Sequence, residues 1–213
     1  VQLLNLVLTK HSKSPNAWAH RRWCWCWAQG KEGLLEHGGI LSLTKELEVC
    51  LRVADLYPKN YYAWTQRSWV VLNRIHQLHL METPEHLQTS VGSSANATTD
   101  GMGGLDTNKQ DKQDRGDLEG ELALVEKWLT SHVSDHSALN HRKNVMGALV
   151  ASLRGLGSFP LLQRELRLFN RLINDYPGHE SLWCYRRFAC QAVLLALQET
   201  ASSAPQAAGS LEE

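Results

Sequence analysis

Four arginines in this chain of 213 residues each follow a large apolar residue by three positions. The anchors and their arginines are Trp18 and Arg21, Trp64 and Arg67, Leu139 and Arg142, and Trp183 and Arg186. Residues three apart share one face of an α-helix, so the anchor can fill a groove while its arginine reaches a carbonyl or a carboxylate. We therefore hypothesise that these arginines bind neighbouring carbonyl or carboxylate groups.

The anchors are part of a repeat of two helices. Apolar residues stand ten, eleven, fourteen and seventeen positions before each anchor, and steps of three and four are typical of a helix. Prolines at Pro15, Pro58 and Pro177 break the pattern before three of the anchors. Each unit is predicted to form a helical hairpin, so the fold is all-α: a curved solenoid, or α–α superhelix, of stacked hairpins. The predicted helices span 1–11, 16–29, 42–57, 61–80, 118–132, 136–154, 160–176 and 180–199.

The spacing of the anchors locates an insert. Successive anchors are 46, 75 and 44 residues apart, so the middle interval is longer than the helical-repeat period. The predicted organisation is units one and two at 1–81, a disordered insert at 82–117, units three and four at 118–199, and a disordered tail at 200–213. A shorter glycine-rich insert covers 30–40. Val1 already occupies a position of the repeated apolar pattern, so we expect the natural chain to begin earlier.

Composition argues against several classes of protein. The 22 basic and 22 acidic residues give no net charge, so no global field favours nucleic acid or an anionic membrane. Three of the eight tryptophans hold equivalent anchor positions, which indicates a core and not a base-stacking platform. No apolar run is long enough to span a membrane, and the odd number of cysteines suits a reducing compartment. We expect a cytoplasmic protein that does not bind nucleic acid.

The sequence offers no metal site and no catalytic motif. Cys24 and Cys26 are two apart on a predicted helix and point to different faces, while His132 and His136 are separated by the break of their hairpin. Zinc needs about four converging ligands, so we expect no metal on this chain. We also expect no other cofactor on it. No nucleophile-and-base arrangement or phosphate-binding glycine loop is present. Alone, the chain is not a complete enzyme.

The run of residues 58–69, Pro-Lys-Asn-Tyr-Tyr-Ala-Trp-Thr-Gln-Arg-Ser-Trp, resembles the repeat of the protein prenyltransferase alpha subunits. The first and last units resemble it more loosely, and the third has Leu139 in place of the tryptophan. The resemblance covers most of the chain outside the inserts and the tail. It implies a crescent of hairpins around a beta subunit, which holds the zinc ion and most of the isoprenoid and peptide pocket.

The resemblance also implies candidate residues near the isoprenoid diphosphate. Lys13 stands at the position of a family lysine that points toward this group, and Tyr61 stands at the position of a family tyrosine in the next repeat. Tyr62 is a further candidate, at a position where the family often has histidine. Pro15 replaces a second family tyrosine. An ammonium group and a phenol can stabilise the charge that a diphosphate gains as its bond to carbon breaks.

Two function classes follow. The chain is either an alpha-type subunit of a heterodimeric protein prenyltransferase or a tetratricopeptide-like scaffold that binds a protein partner without lipid chemistry. For the first class we favour geranylgeranyl transfer to a carboxyl-terminal cysteine of a protein substrate, with a Rab-type beta subunit as partner. The tetratricopeptide period is about 34 residues, shorter than the spacing found here.

Overall fold

The computed structural model describes residues 1–29, 42–82, 106–153 and 155–203, and these are helical apart from short turns. The helices are α1 (Gln2–Lys10), α2 (Pro15–Gln29), α3 (Leu43–Leu56), α4 (Tyr61–Glu82), α5 (Asp106–Leu129), α6 (His136–Leu153), α7 (Phe159–Asp175) and α8 (Glu180–Ser203). A 3-10 turn, Gly155–Ser158, precedes α7. Together with the family match given below, this arrangement confirms the predicted solenoid of helical hairpins.

The boundaries of the predicted inserts differ from the observed helices. α5 begins at Asp106, so residues 106–117 of the predicted disordered insert are helical. Asp114 and Leu118 are buried in this part of the helix, and its lysines and glutamines are good helix formers. α8 likewise continues to Ser203, beyond the predicted start of the tail. Residues 30–41, 83–105, 154 and 204–213 lie outside the described part of the chain, as does the predicted glycine-rich insert at 30–40.

Side chains cap the second helix in three of the four hairpins. The Ser14 hydroxyl accepts a hydrogen bond from the Ala17 amide at 3.3 Å, and the Asn60 amide oxygen accepts one from the Ala63 amide at 3.3 Å. A carboxylate oxygen of Asp135 accepts from the amides that follow it, including that of Ser137 at 3.0 Å. These bonds satisfy free amides at the start of the helix, which fixes where each hairpin turns.

Packing occurs within hairpins and between the second helices of consecutive hairpins. α1 packs on α2, α3 on α4, α5 on α6 and α7 on α8, while α2, α4, α6 and α8 contact one another in chain order. One apolar cluster includes buried residues from all four hairpins. The core is thus distributed along the stack, as expected for a solenoid.

Three of the four predicted anchors are buried, and the fourth is not. Trp18, Trp64 and Leu139 are 4%, 2% and 4% exposed, whereas Trp183 is 45% exposed. The interpretation of Trp183 as a core residue is wrong. Trp64, for example, donates to Asp135 and meets the Trp128 ring of the following hairpin, whereas in the described chain no hairpin follows α8.

We expect this difference to appear in stability. Trp64→Ala removes a buried ring and should lower the free energy of unfolding by about 3–5 kcal/mol. The matched change Trp183→Ala should cost about 1 kcal/mol or less, because the ring is already half in water. Urea unfolding followed by circular dichroism measures both. Equal losses for the two variants would contradict the assignment of Trp64 to the core.

Candidate functional site: the arginine ladder and the hairpin-turn edge

Three of the four repeat arginines form buried ion pairs with the next hairpin. Arg21 binds Glu46 at 2.6 Å and Arg67 binds Glu121 at 2.6 Å. The third pair joins the Nε of Arg142 to Glu165 at 3.0 Å. In every case the arginine lies on a second helix and the glutamate on the first helix of the following hairpin. We call this series the arginine ladder; for these three arginines it agrees with the hypothesis that they bind neighbouring carbonyl or carboxylate groups.

The glutamates obey the same repeat, a signal that the sequence interpretation missed. Glu46, Glu121 and Glu165 each stand eighteen positions before the anchor of their own hairpin. The residue two after that anchor also donates to the glutamate. These donors are Gln66 to Glu46 at 3.1 Å, His141 to Glu121 at 2.9 Å, and the Tyr185 hydroxyl to Glu165 at 2.9 Å.

Each guanidinium also binds the first helix of its own hairpin. Arg67 donates to the Leu47 carbonyl at 2.7 Å, Arg142 to the Leu122 carbonyl, and Arg21 to the Asn5 side chain at 2.7 Å. The last arginine, Arg186, donates to Asn170 at 2.7 Å and is only half-buried. A buried ion pair is tolerable only when its remaining donors are satisfied, and the ladder meets that condition.

The pKa shifts follow from burial and from these partners. Burial raises the pKa of Glu121, but hydrogen bonds from His141 and Arg67 outweigh it and lower that pKa to about 2. Burial lowers the pKa of His141 below 6.5, although Glu121 opposes the shift. For Arg142, burial lowers the pKa but Glu165 raises it further, so the net shift is upward. At neutral pH, Glu121 is therefore ionised and His141 is neutral.

Ser68, His141 and Glu121 are connected in the order of a catalytic triad. The Ser68 hydroxyl lies 2.8 Å from His141 Nδ1, and His141 Nε2 lies 2.9 Å from Glu121. Yet the His141 ring is fully buried, Ser68 is 7% exposed, and Arg67 neutralises the carboxylate. A nucleophile must be reachable by its substrate. We therefore assign this network to the junction between hairpins two and three.

The candidates near the diphosphate lie at an edge formed by the turns of the hairpins. Asn60 donates to the Ser12 carbonyl at 3.0 Å, which brings the turns of hairpins one and two together. Lys13 follows Ser12 and Tyr61 follows Asn60, so both lie beside this contact. Lys13 is exposed and Tyr61 is 60% exposed.

Tyr62 has a different environment from Tyr61. Its ring meets that of Tyr61 edge to face at 5.6 Å between centroids, and it packs against the main apolar cluster. Tyr62 therefore joins the turn to the apolar core. The Lys13 ammonium group and the Tyr61 hydroxyl group lie on exposed side chains that a ligand or partner can reach. Their role toward a diphosphate stays a prediction.

Cys24 is half-buried and Cys26 exposed, and the described residues contain no group of three histidine, cysteine or acidic side chains suited to a metal ion. Within the same residues, no helix is long and apolar enough to cross a membrane.

The ladder predicts which carboxylates matter for stability. Glu121→Ala leaves the buried Arg67 guanidinium without its counter-charge and should lower the free energy of unfolding by about 3–5 kcal/mol. Glu126 offers a matched control because it pairs with two exposed arginines, Arg164 and Arg171. Glu126→Ala should cost about 0–1 kcal/mol. If urea unfolding shows the same loss for both, the ladder does not stabilise the stack.

The lowered pKa of His141 predicts a pH dependence. Between its folded-state value and 6.5, the unfolded chain binds more protons than the folded chain, so stability should fall as pH drops through this window. In His141→Gln this loss should disappear while the bond to Glu121 remains, since Gln66 makes the equivalent bond. Urea unfolding at pH 7 and pH 5 compares it with the parent and with His136→Gln, a change at an exposed histidine. An unchanged pH dependence in His141→Gln would refute the assignment.

Comparison with known proteins agrees with this geometry. The family model described as the protein prenyltransferase alpha subunit repeat matches residues 1–28, 43–74, 118–149 and 162–193, which are the four hairpins. The chain is 28% identical to protein prenyltransferase alpha subunit repeat-containing protein 1 of Danio rerio, over 85% of this chain and 44% of that protein. The human protein of the same name is 27% identical, over 88% of this chain and 48% of its own length.

A Xenopus laevis relative, protein prenyltransferase alpha subunit repeat-containing protein 1-B, is 26% identical over 97% of this chain and 50% of its own length. The chain therefore spans about half the length of the curated relatives it matches. The resemblance seen in residues 58–69 is confirmed, since the matched repeats cover more than half of the chain. The chain belongs to the protein prenyltransferase alpha subunit repeat family.

Proposed function

We propose that this chain is an alpha-type subunit of a heterodimeric protein prenyltransferase. It supports the transfer of an isoprenoid, geranylgeranyl by preference, to a carboxyl-terminal cysteine of a protein substrate. The observation that carries the proposal is the pair Lys13 and Tyr61, which the family repeat leaves exposed beside one contact between two turns. A Rab-type beta subunit is the preferred partner, and the zinc ion belongs to that partner.

Two donors on one edge suit the chemistry of the leaving group. As the bond between the isoprenoid carbon and the diphosphate breaks, negative charge grows on the diphosphate oxygens. A lysine ammonium group and a tyrosine hydroxyl at hydrogen-bond distance stabilise that charge more than they stabilise the ground state. Lys13 and Tyr61 supply these two groups, and both side chains are exposed at the turn edge.

The partner subunit would supply the reactive groups, because the buried charged side chains of this chain bind one another. Three buried guanidinium groups and three buried glutamates are bound to one another in the ladder, so these groups are not free to act on a substrate. The thiol nucleophile comes from the protein substrate, and its activation is the task of the partner's zinc. The five free cysteines agree with a cytoplasmic location for the complex.

The proposal predicts a kinetic effect without loss of assembly. With the Rab-type beta subunit, Lys13→Ala and Tyr61→Phe should each lower the single-turnover transfer rate about tenfold to a thousandfold, as expected for one charge-stabilising donor. Heterodimer formation should persist, because neither side chain is buried in the stack. Lys45→Ala, a change at an exposed lysine on α3, is the matched control and should transfer at the parental rate.

Two outcomes contradict parts of this proposal. If Lys13→Ala and Tyr61→Phe bind the beta subunit and transfer lipid at the parental rate, the role toward the diphosphate is wrong. If the intact chain fails to co-elute with any beta subunit at micromolar concentration, the prenyltransferase function gives way to the scaffold.

A further inference from the structure

One side of the first hairpin is apolar and exposed. Leu3 is 73% exposed, Trp23 57% and Trp27 51%. The His20 ring stacks on Trp23 with centroids 5.6 Å apart, and Trp23 stacks on Trp27 at 6.4 Å. We call Leu3, His20, Trp23 and Trp27 the upstream face. An exposed aromatic stripe of this kind marks an interaction surface when something of matching chemistry can cover it.

In the later hairpins the corresponding positions are covered. His20 stands two residues after its anchor, where Gln66, His141 and Tyr185 are 0%, 0% and 3% exposed. Trp23 stands five after its anchor, where Trp69 and Phe188 are half-buried. Part of this cover comes from the glutamate of the same hairpin, and part comes from the second helix of the preceding hairpin. Arg22, for example, donates to Gln66 at 3.1 Å.

At two junctions, the contact from the preceding hairpin is a cation over a ring, and the two residues stand at fixed offsets from their anchors. The Arg22 guanidinium lies over the Trp69 ring at 5.1 Å, and the Lys143 ammonium lies over the Phe188 ring at 5.3 Å. In both pairs the cation stands four after its anchor and the ring stands five after the anchor of the next hairpin. At the remaining junction, Ser68 replaces the cation and Asn144 replaces the ring. A ring at this position therefore accompanies a cation on the helix that covers it.

We propose that the upstream face binds the second helix of a further helical hairpin of this repeat type, distinct from the four described hairpins of this chain, and that this helix lays a lysine or arginine side chain over Trp23. Its apolar anchor packs against the same face, as Trp64 packs against Asp135 and Trp128 of the hairpin that follows it. The basis is continuity with the three described junctions between hairpins, together with the exposed ring of Trp23. This inference is independent of the proposed prenyltransferase activity.

The chain itself supplies a test hairpin in the correct register. Glu165 stands eighteen before Trp183, and Val1 stands seventeen before Trp18. A copy of residues 118–165 joined directly ahead of Val1 therefore continues the repeat without a linker and brings a second Lys143 toward Trp23. Hydroxyl-radical footprinting with mass spectrometry then measures the labelling rates of Trp23 and Trp27 in the extended protein.

We expect labelling of Trp23 and Trp27 to slow by about fivefold or more in the extended protein, as for a buried surface. Trp183, at the other end of the stack and 45% exposed, is the internal reference and should not change. Changing Lys143→Glu in the added copy alone should restore most of the labelling of Trp23. A longer copy, residues 43–165, ends on the same glutamate and contains two hairpins, so its own folding depends less on the new junction.

Three results would overturn the proposal. If both extended proteins are helical by circular dichroism and Trp23 is labelled as fast as in the parent, the face does not accept a hairpin of this type. If the Lys143→Glu copy protects Trp23 as well as the unchanged copy does, the required cation is wrong. If Trp23 in the parent chain becomes protected as its concentration rises while Trp183 does so too, a second copy docking end to end is the occupant.

Discussion

A buried guanidinium group needs a carboxylate, and this requirement governs how the hairpins are joined. Arg21, Arg67 and Arg142 lie inside the stack, where an unpaired charge would be severely destabilising. Because each carboxylate belongs to the following hairpin, two hairpins can stack only in the register that brings arginine and glutamate together. The apolar contacts between second helices stabilise each junction, while the ladder selects the register in which they form.

The ladder also leaves the turns free for function. The buried charges of the ladder are satisfied by one another and by groups of the first helices, so the turn edge need contribute only its capping groups to the fold. The third unit shows how far the other positions can vary. There Leu139 replaces the tryptophan anchor, and the rings of Trp128 and His141 both pack against Trp64, each at 5.4 Å between centroids. The indole groups of Trp64 and Trp128 both donate to Asp135, which ties this cap to two hairpins.

Much of this architecture could be predicted from the sequence, because helical periodicity, proline breaks and capping residues are local signals. The glutamate partners Glu46, Glu121 and Glu165 also repeat at one offset, but a pattern of apolar anchors does not by itself single them out. The polar composition of residues 106–117 predicts disorder, yet lysine and glutamine there extend a helix that is already anchored by Leu118. The exposure of Trp183 depends on what packs beyond α8, which a residue type cannot reveal.

The central claim, that the arginine ladder couples consecutive hairpins, is tested most directly by a double-mutant cycle on Arg142 and Glu165. Urea unfolding would be measured for the parent, Arg142→Met, Glu165→Met and the double variant. We expect each single variant to lose about 3–5 kcal/mol and the double variant to lose clearly less than their sum, with a coupling energy of about 2 kcal/mol or more. Additive losses, with a coupling energy below about 0.5 kcal/mol, would show that the two residues contribute independently and that the ladder does not hold the hairpins in register.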